Sequence, residues 1–435
     1  MRTIPVVAGI VALTVQAGAN EALDILEGNK QVEELNLPPL PEEEETASDE
    51  PVVFVEPEWA PSPLDPVWSR AVLFEDETNP WVQQVAIMGL YQWGGAWGTA
   101  EVEGGRNVRL DTTRTRRARL GTRMKIFGNT ELEAVGEFAG DARYQRIETL
   151  KGKTKVLPNH YVEYGKFRPR FGIEGSKYSR DPASLLTPET TLLTSMLMPA
   201  STLGIAFGQE CAPWDWSVGW FSGDTDRYVP GIEGRGFIAA NLAYETGERL
   251  DDNSVMRTRW HLDYIYNLDG RKGAGTPRYR PNGMTASNGP QPVPANPAFR
   301  HLVSTGIELE GERFAFEGDF MLANGDLNAW GLTLTPSYWA IPGTLNVVGR
   351  YHYADTDNPG GLVGGLGAGS DPFYDSSPVF VGDEFHSFYL GANVHLYQDK
   401  VVFLNGLEYT ILEDQAGGNF DTDAWIWHSG ARVSF

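Results

Sequence analysis

Between Thr113 and Phe127 the chain reads TRTRRARLGTRMKIF, and apolar and basic positions alternate. Arg117, Arg119, Arg123 and Lys125 fall on one face, with Gly121 in the gap. Ala118, Leu120, Thr122, Met124 and Ile126 fall on the other. A period of two is that of a strand, because successive side chains point to opposite sides of the pleat. One oily face and one basic face suit a wall between lipid and a water-filled lumen. They also suit an exposed antiparallel strand with a solvated basic face, so the rest of the chain has to decide.

The same alternation continues from Gln84 to the end. It predicts strands over Gln84–Trp97, Thr113–Phe127, Glu131–Phe138, Tyr161–Lys166, Arg170–Tyr178, Ser201–Gly208, Trp214–Phe221, Gly236–Tyr244 and Met256–Asn267. In the second half it predicts Arg300–Leu309, Arg313–Leu322, Trp330–Trp339, Thr344–Tyr353, Glu384–Leu396, Val401–Leu412 and Ala424–Phe435. That makes about sixteen segments, each near the ~10 residues that cross a bilayer at a tilt. Short connections, near 128, 168, 211, 250, 311, 342 and 398, alternate with longer ones, three of which are large: 179–200, 268–299 and 355–383. In an antiparallel meander every second connection lies at one end, so the long loops share one rim and the tight turns the other. Outer-membrane barrels sort their loops this way, and a β-sandwich has no reason to. The fold expected is all-β: a transmembrane antiparallel β-barrel of about 16 strands over residues 81–435, with both termini on the turn side.

Two stretches precede it. Residues 1–19 read as a secretory signal: Arg2, an apolar run from Ile4 to Val15, and Ala17-Gly18-Ala19 as a cleavage site. Residues 20–80 are acidic and Pro-rich, with Glu42–Glu45, Asp49, Glu50, Glu56 and Glu58 among seven prolines from Pro39 to Pro66. Self-repelling, Pro-rich sequence cannot bury enough apolar surface to fold, so it is expected to hang as an extended periplasmic tail.

Composition narrows the classes. Apolar residues make up 41% of the 435 and mean hydropathy is −0.31, which excludes a bundle of membrane helices. The 13 Trp, 17 Tyr, 20 Phe and 49 Gly suit strands, tight turns and aromatic girdles. One cysteine, Cys211, rules out an internal disulfide framework and a Cys-rich metal site. A net charge of −23 argues against nucleic acid as a partner.

Three stretches resemble the phosphate-selective porin O/P family. They are Arg116-Arg117-Ala118-Arg119-Leu120-Gly121, Tyr161-Val162-Glu163-Tyr164 running into Phe171-Gly172-Ile173-Glu174 and Ser176, and Leu203-Gly204-Ile205 leading to Phe221-Ser222-Gly223-Asp224. The resemblance covers roughly residues 112–225. It implies a sixteen-stranded homotrimeric porin in the outer membrane, surrounded by lipid, with its third extracellular loop folded into the lumen. Here that loop is 179–200, with Asp181 and Glu189 as its acidic side. Arg117, Arg119 and Arg123 correspond to the family's arginine ladder, whereas Lys151, Lys153 and Lys155 are read as lying in a loop. The last strand, with Trp425, Trp427, Ala431, Val433 and Phe435 on one face, resembles in its terminal Phe435 the signal read by the barrel-assembly machinery.

A row of guanidiniums on a rigid wall can replace part of an anion's hydration shell. Arg117, Arg119, Arg123 and Lys125, joined by Arg257, Arg259 and Arg350 on later strands, are the candidates for a path that binds small inorganic anions such as phosphate. A rival is a general porin, with basic residues on one wall facing Asp181, Glu189 and Glu174 to set up a transverse field. A third reading has the arginines paired with Glu131, Glu133 and Glu137 and merely bracing the barrel. A fourth makes the protein an outer-membrane anchor acting through its acidic tail. No nucleophile elbow, His-Glu-x-x-His or phosphate-binding loop occurs, so neither catalysis, a metal nor a cofactor is expected.

Overall fold

The computed structural model describes residues 62–102, 106–138, 143–180, 184–199, 201–223, 232, 235–249, 255–268, 299–325, 328–357, 362–364, 380–413 and 421–435. The signal segment 1–19 and the tail as far as residue 61 lie outside the described residues, as does Asp181.

The strands are β1 (Val82–Val102), β2 (Arg106–Ile126), β3 (Thr130–Phe138), β4 (Tyr144–Leu157), β5 (His160–Phe167), β6 (Thr202–Cys211), β7 (Trp214–Phe221) and β8 (Phe237–Arg249). They continue as β9 (Val255–Asn267), β10 (Phe299–Glu310), β11 (Phe314–Gly325), β12 (Ala329–Ile341), β13 (Leu345–Thr356), β14 (Glu384–Tyr397), β15 (Val401–Glu413) and β16 (Thr422–Ser434). Each pairs antiparallel with the next, and β16 pairs with β1 from Thr422↔Val102 to Ser434↔Leu90. The sheet is therefore a closed sixteen-stranded barrel.

Closure continues below the end of β16. Phe435 and Gly89 exchange both backbone hydrogen bonds, at 2.9 and 3.0 Å. Beyond them β1 would present a bare edge, and a short strand, Val72–Glu75, pairs with Gln84–Ala86 there instead. A one-turn helix, Asp65–Trp68, is docked in front of it. Trp68 Nε1 donates to the Ser434 carbonyl at 2.6 Å, and its ring lies 4.7 Å from that of Tyr397. The Tyr397 hydroxyl donates to Asp65 at 2.5 Å and holds that carboxyl below its ordinary value. This part of the docking is fully present above the ordinary carboxylate range and is lost as the pH falls through the lowered value.

Burial is inside out. On β16 Trp425 and Trp427 are 53% and 48% exposed, while Ile426 between them and His428 and Arg432 beyond them are at most 3% exposed. Leu120, Leu262, Leu390 and Leu407 are exposed, whereas Arg117, Arg350, His352, Ser387 and Glu408 are buried. In water this would forfeit the burial of every outward leucine and tryptophan, at about 1.5–3 kcal/mol each. The pattern is stable with lipid outside. Among the described residues no helix is long and apolar enough to cross a membrane.

Two expected elements are corrected. Arg170–Tyr178 is not a strand: Gly172 takes φ +70°, and a helix, α1 (Ile173–Arg180), follows. The missing sixteenth strand is β4, which contains Lys151, Lys153 and Lys155 on a sheet and not in a loop. A register shift between its pairings with Val135 and Gly136 moves the inward set from Arg146 and Glu148 to Lys151 and Lys153, which hides the period of two. The tight turn expected near 168 is at 158–159, and the long connection runs over 168–201.

The seam makes a stability prediction. A Cβ on Gly98 would lie 2.2 Å from the Trp425 carbonyl oxygen of β16, and on Gly136 only 3.4 Å from a ring carbon of Phe138. Gly98→Val is expected to cost roughly 1–3 kcal/mol in denaturant unfolding from micelles. Gly136→Ala is expected to stay within about 0.5 kcal/mol; equal effects would contradict the seam as described.

Candidate functional site

The lumen is organised by the connection 168–201, which turns inward. Its entry is fixed by carboxylates from the far wall. Asp263 accepts from the Gly172 N–H and Asp319 from the Ile173 N–H, both at 2.8 Å, which sets two acceptors at the start of α1. Lys177, one turn on, reaches Glu317 at 2.6 Å and Glu308 at 3.4 Å. A second helix, α2 (Leu192–Leu197), is fully buried and capped by Thr191, which in turn bonds Glu174. Its Leu192, Leu193, Met196 and Leu197 form one dry cluster with Leu302, Ala354, Phe385, Leu412 and Ile426 from the strands.

Buried cations of the wall complete the attachment by donating to this segment's backbone. Arg350 donates to the Glu189 carbonyl at 2.8 Å and to Thr187 Oγ1 at 2.8 Å, and Arg432 donates to the Leu185 carbonyl at 2.8 Å. Arg350 is itself paired with Glu408 at 3.3 Å, and Glu408 also holds His428 at 2.8 Å and Ser387. The inserted segment thus packs against the β9–β15 side; two small voids beside it, one among β11–β13 and one among β7–β10, hold about 20 Å³ each.

The other half is open. A cavity of about 720 Å³ runs along β1–β8 from the turn-side mouth, where Trp68, Lys400 and Phe435 line it, up to Phe167, Arg168 and Ser201 at the roots of the inserted segment. Its charged side chains are Arg119, Arg123, Lys151, Arg168, Arg170 and Lys400 against Glu133, Glu148, Glu163 and Asp399, a small excess of positive charge. All but Arg170, Lys400 and Asp399 come from β2–β5 or the residue after β5.

These groups are paired across strands. Register sets Arg119 opposite Glu137, Arg123 opposite Glu133 and Lys125 opposite Glu131. Arg119 lies 3.2 Å from Glu137 and 3.1 Å from Glu148, and Arg123 3.6 Å from Glu133. Glu148 is shared further with Arg146 at 2.9 Å and Arg168 at 3.4 Å, and Glu137 with Arg146 at 3.0 Å. Three guanidiniums around two carboxylates leave this knot positive. Lys151 pairs with Glu163 at 2.9 Å.

The sequence-predicted residues therefore separate. Arg119 and Arg123 line the open half. Arg117 does not face open water: it is 1% exposed and donates to Gln92. Arg350 and Glu189 do not either, because both are buried in the joint between wall and inserted segment, Glu189 against Arg116 at 3.1 Å. Arg257 pairs with Glu245 at 2.7 Å and Glu310 at 3.3 Å, and Arg259 with Glu308 at 3.1 Å, on the filled side. Arg116 escaped the sequence reading because a bulge opposite Gln92 and Trp93 turns two successive arginines inward. Arg146 and Glu148 escaped with β4, and Arg168 with the tight turn expected near 168.

One buried group has the composition of a hydrolytic site but not its geometry. Ser304 donates to Asp319 at 2.6 Å, so His261, 3.1 Å from Ser304, is not placed to take its proton, and the inserted segment covers them all. Among the described residues no group of three or more His, Cys, Asp or Glu could hold a metal ion.

No family model and no curated protein matches the sequence. Solved structures similar to it include an anion-selective porin from Comamonas acidovorans, 12% identical, covering 81% of this chain and 99% of that one at a TM-score of 0.48. The outer-membrane channel DcaP of Acinetobacter baumannii is 11% identical, covering 83% and 99% at 0.47. The trimer form of OmpT, an outer-membrane protein of Vibrio cholerae, is 11% identical, covering 81% and 99% at 0.43.

If Glu408 neutralises the arginine that holds the inserted segment, Glu408→Gln leaves Arg350 buried with less compensation, a cost of about 3–5 kcal/mol for a broken buried pair. Limited proteolysis of the folded barrel is then expected to cut within 168–199 at least tenfold faster. An unchanged cleavage rate would show that Arg350 does not hold the segment.

Proposed function

We propose that the chain is an outer-membrane porin of the Gram-negative type, a passive channel for small solutes with a moderate preference for anions. The observation that carries the reading is the open half-lumen. It is an open slot inside a closed barrel, with cations in small excess on one wall. Arg119, Arg123, Lys151, Arg168 and Arg170 are the groups assigned to the path. Arg117, Arg257, Arg259 and Arg350 are assigned to bracing, because each is engaged in hydrogen bonds or ion pairs and none lines the slot. Membership of the phosphate-selective porin family, assembly as a homotrimer, recognition of Phe435 by the assembly machinery and a periplasmic tail belong to the same reading.

Ion pairing sets the strength of the preference. A wall whose guanidiniums are each within 4 Å of a carboxylate presents a weak net field, further screened over ~8–10 Å by salt. Such a wall biases permeation without excluding cations. In planar bilayers under a salt gradient, reversal potentials are expected to give chloride a permeability a few-fold above potassium. Arg123→Gln, the most exposed of the pairs, lowers that ratio toward one while leaving conductance within about twofold. Potassium preference in the unmodified channel would overturn the anion assignment, and absence of any conductance would overturn the porin.

A further inference from the structure

Along the open slot most cations are matched by carboxylates. Arg123 meets Glu133 at 3.6 Å, Lys151 meets Glu163 at 2.9 Å, and Arg170 is held by Asp215 at 3.2 Å and Glu210 at 3.4 Å. Such a pair presents a dipole to the slot and little net charge. At the inner end the count is unequal. Arg119 and Arg168 line the slot there with a single lining carboxylate between them, Glu148, at 3.1 and 3.4 Å. A third guanidinium, Arg146, lies 2.9 Å from Glu148, and the buried Lys166 adds a fourth positive charge that acts on it. Glu137, the other carboxylate of the group, contacts Arg119 and Arg146 and does not line the slot. The positive excess of the wall is therefore concentrated in one place, and Glu148 is the carboxylate that contacts all three of its guanidiniums.

We propose that Glu148 is the residue that sets how strongly the channel discriminates by charge. The inference rests on the porin reading and deepens it. The side chains of Arg119, Glu148 and Arg168 are at most 7% exposed, so water between them screens their field little, and they border the space through which an ion passes. An ion there feels the sum of the group and not any one member. The sum favours an anion, and Glu148 subtracts from it. Chloride and potassium respond to one potential with opposite sign, so their permeability ratio changes as the square of either ion's own factor. A multiply charged oxyanion such as phosphate responds more steeply still. A Glu148 that only braced the wall would act by tying Arg168, the first residue after β5, to β4. Bracing depends on the contacts and selectivity on the count of charges, and the two separate when the count is restored without the contacts.

The test is the reversal potential of the full chain and three variants in planar bilayers under one salt gradient. Glu148→Gln adds a unit of positive charge to the group and is expected to raise the chloride-to-potassium permeability ratio at least threefold. Arg146→Gln removes a unit and lowers the ratio at least twofold. The double variant Glu148→Gln/Arg146→Gln restores the count and returns the ratio to within about 1.5-fold of the unmodified channel. An unmoved ratio in Glu148→Gln, or a double variant that keeps the ratio of Glu148→Gln, overturns the proposal. If Glu148→Gln does not fold, Arg146→Gln decides alone, because the Arg146 side chain is 34% exposed and outside the slot lining, and an unmoved ratio there overturns the proposal equally. Conduction with an unmoved ratio strikes this inference and leaves the porin reading standing, whereas a protein that conducts nothing takes both.

Discussion

Lipid offers no partner to a backbone N–H or C=O, so a sheet that crosses it can leave no edge unpaired. Much of this structure follows from that. Sixteen strands close through the β16–β1 ladder, and where β16 ends first, Phe435 and then the strand Val72–Glu75 take over its place beside β1. Closure fixes register, and register fixes which residues face inward. Because a strand alternates strictly, the oily outside at Leu120 and Trp427 and the polar inside at Arg119 and His428 are one constraint seen from two sides.

A cylinder of this size, left empty, would be a wide water-filled hole. The described residues of the inserted segment pack against one side of it. Its apolar helix and the apolar residues at the long-loop ends of the strands make a dry core, while Asp263, Asp319, Arg350 and Arg432 bond its backbone to the wall. The buried charges on that side are structural: Arg350 and Arg432 are offset by a carboxylate or a carbonyl, and Asp263 and Asp319 accept from backbone N–H groups. The open cavity thereby lies on the β1–β8 side. There the charges are accessible but cross-strand paired, so the field is a modest excess and not a bare column of cations.

The fold was legible because alternation over many strands is redundant. Fifteen of the sixteen strands could be read from period two, and the sorting of long and short connections supplied the closure argument. The site was less legible, for definable reasons. A register slip beside Glu148 broke the alternation in β4, and a bulge after Thr115 put Arg116 and Arg117 on the same side. Phe171, Ile173 and Gly175 alternate like a strand, yet Gly172 adopts a left-handed turn and Asp263 and Asp319, roughly 90 and 150 residues away, draw the backbone into a helix. No local pattern encodes partners at that distance. Burial was also invisible: Arg350 and Arg119 both point inward from their strands, yet Arg350 is sealed against the inserted segment while Arg119 lines the open cavity.

The division of the lumen is the claim on which the account rests, and accessibility measures it most directly. Single cysteines can be placed, in a Cys211→Ser background, at Leu120 on the outside, at Ala86 in the open slot and at Thr335 beside the inserted segment. In membranes, a charged water-soluble thiol reagent should modify position 86 rapidly and positions 120 and 335 at least tenfold more slowly, with 120 reacting with a lipid-phase reagent. Equal aqueous labelling at 86 and 335 would mean that the segment does not seal its side of the barrel. Rapid aqueous labelling at 120 would mean that there is no lipid-facing wall at all.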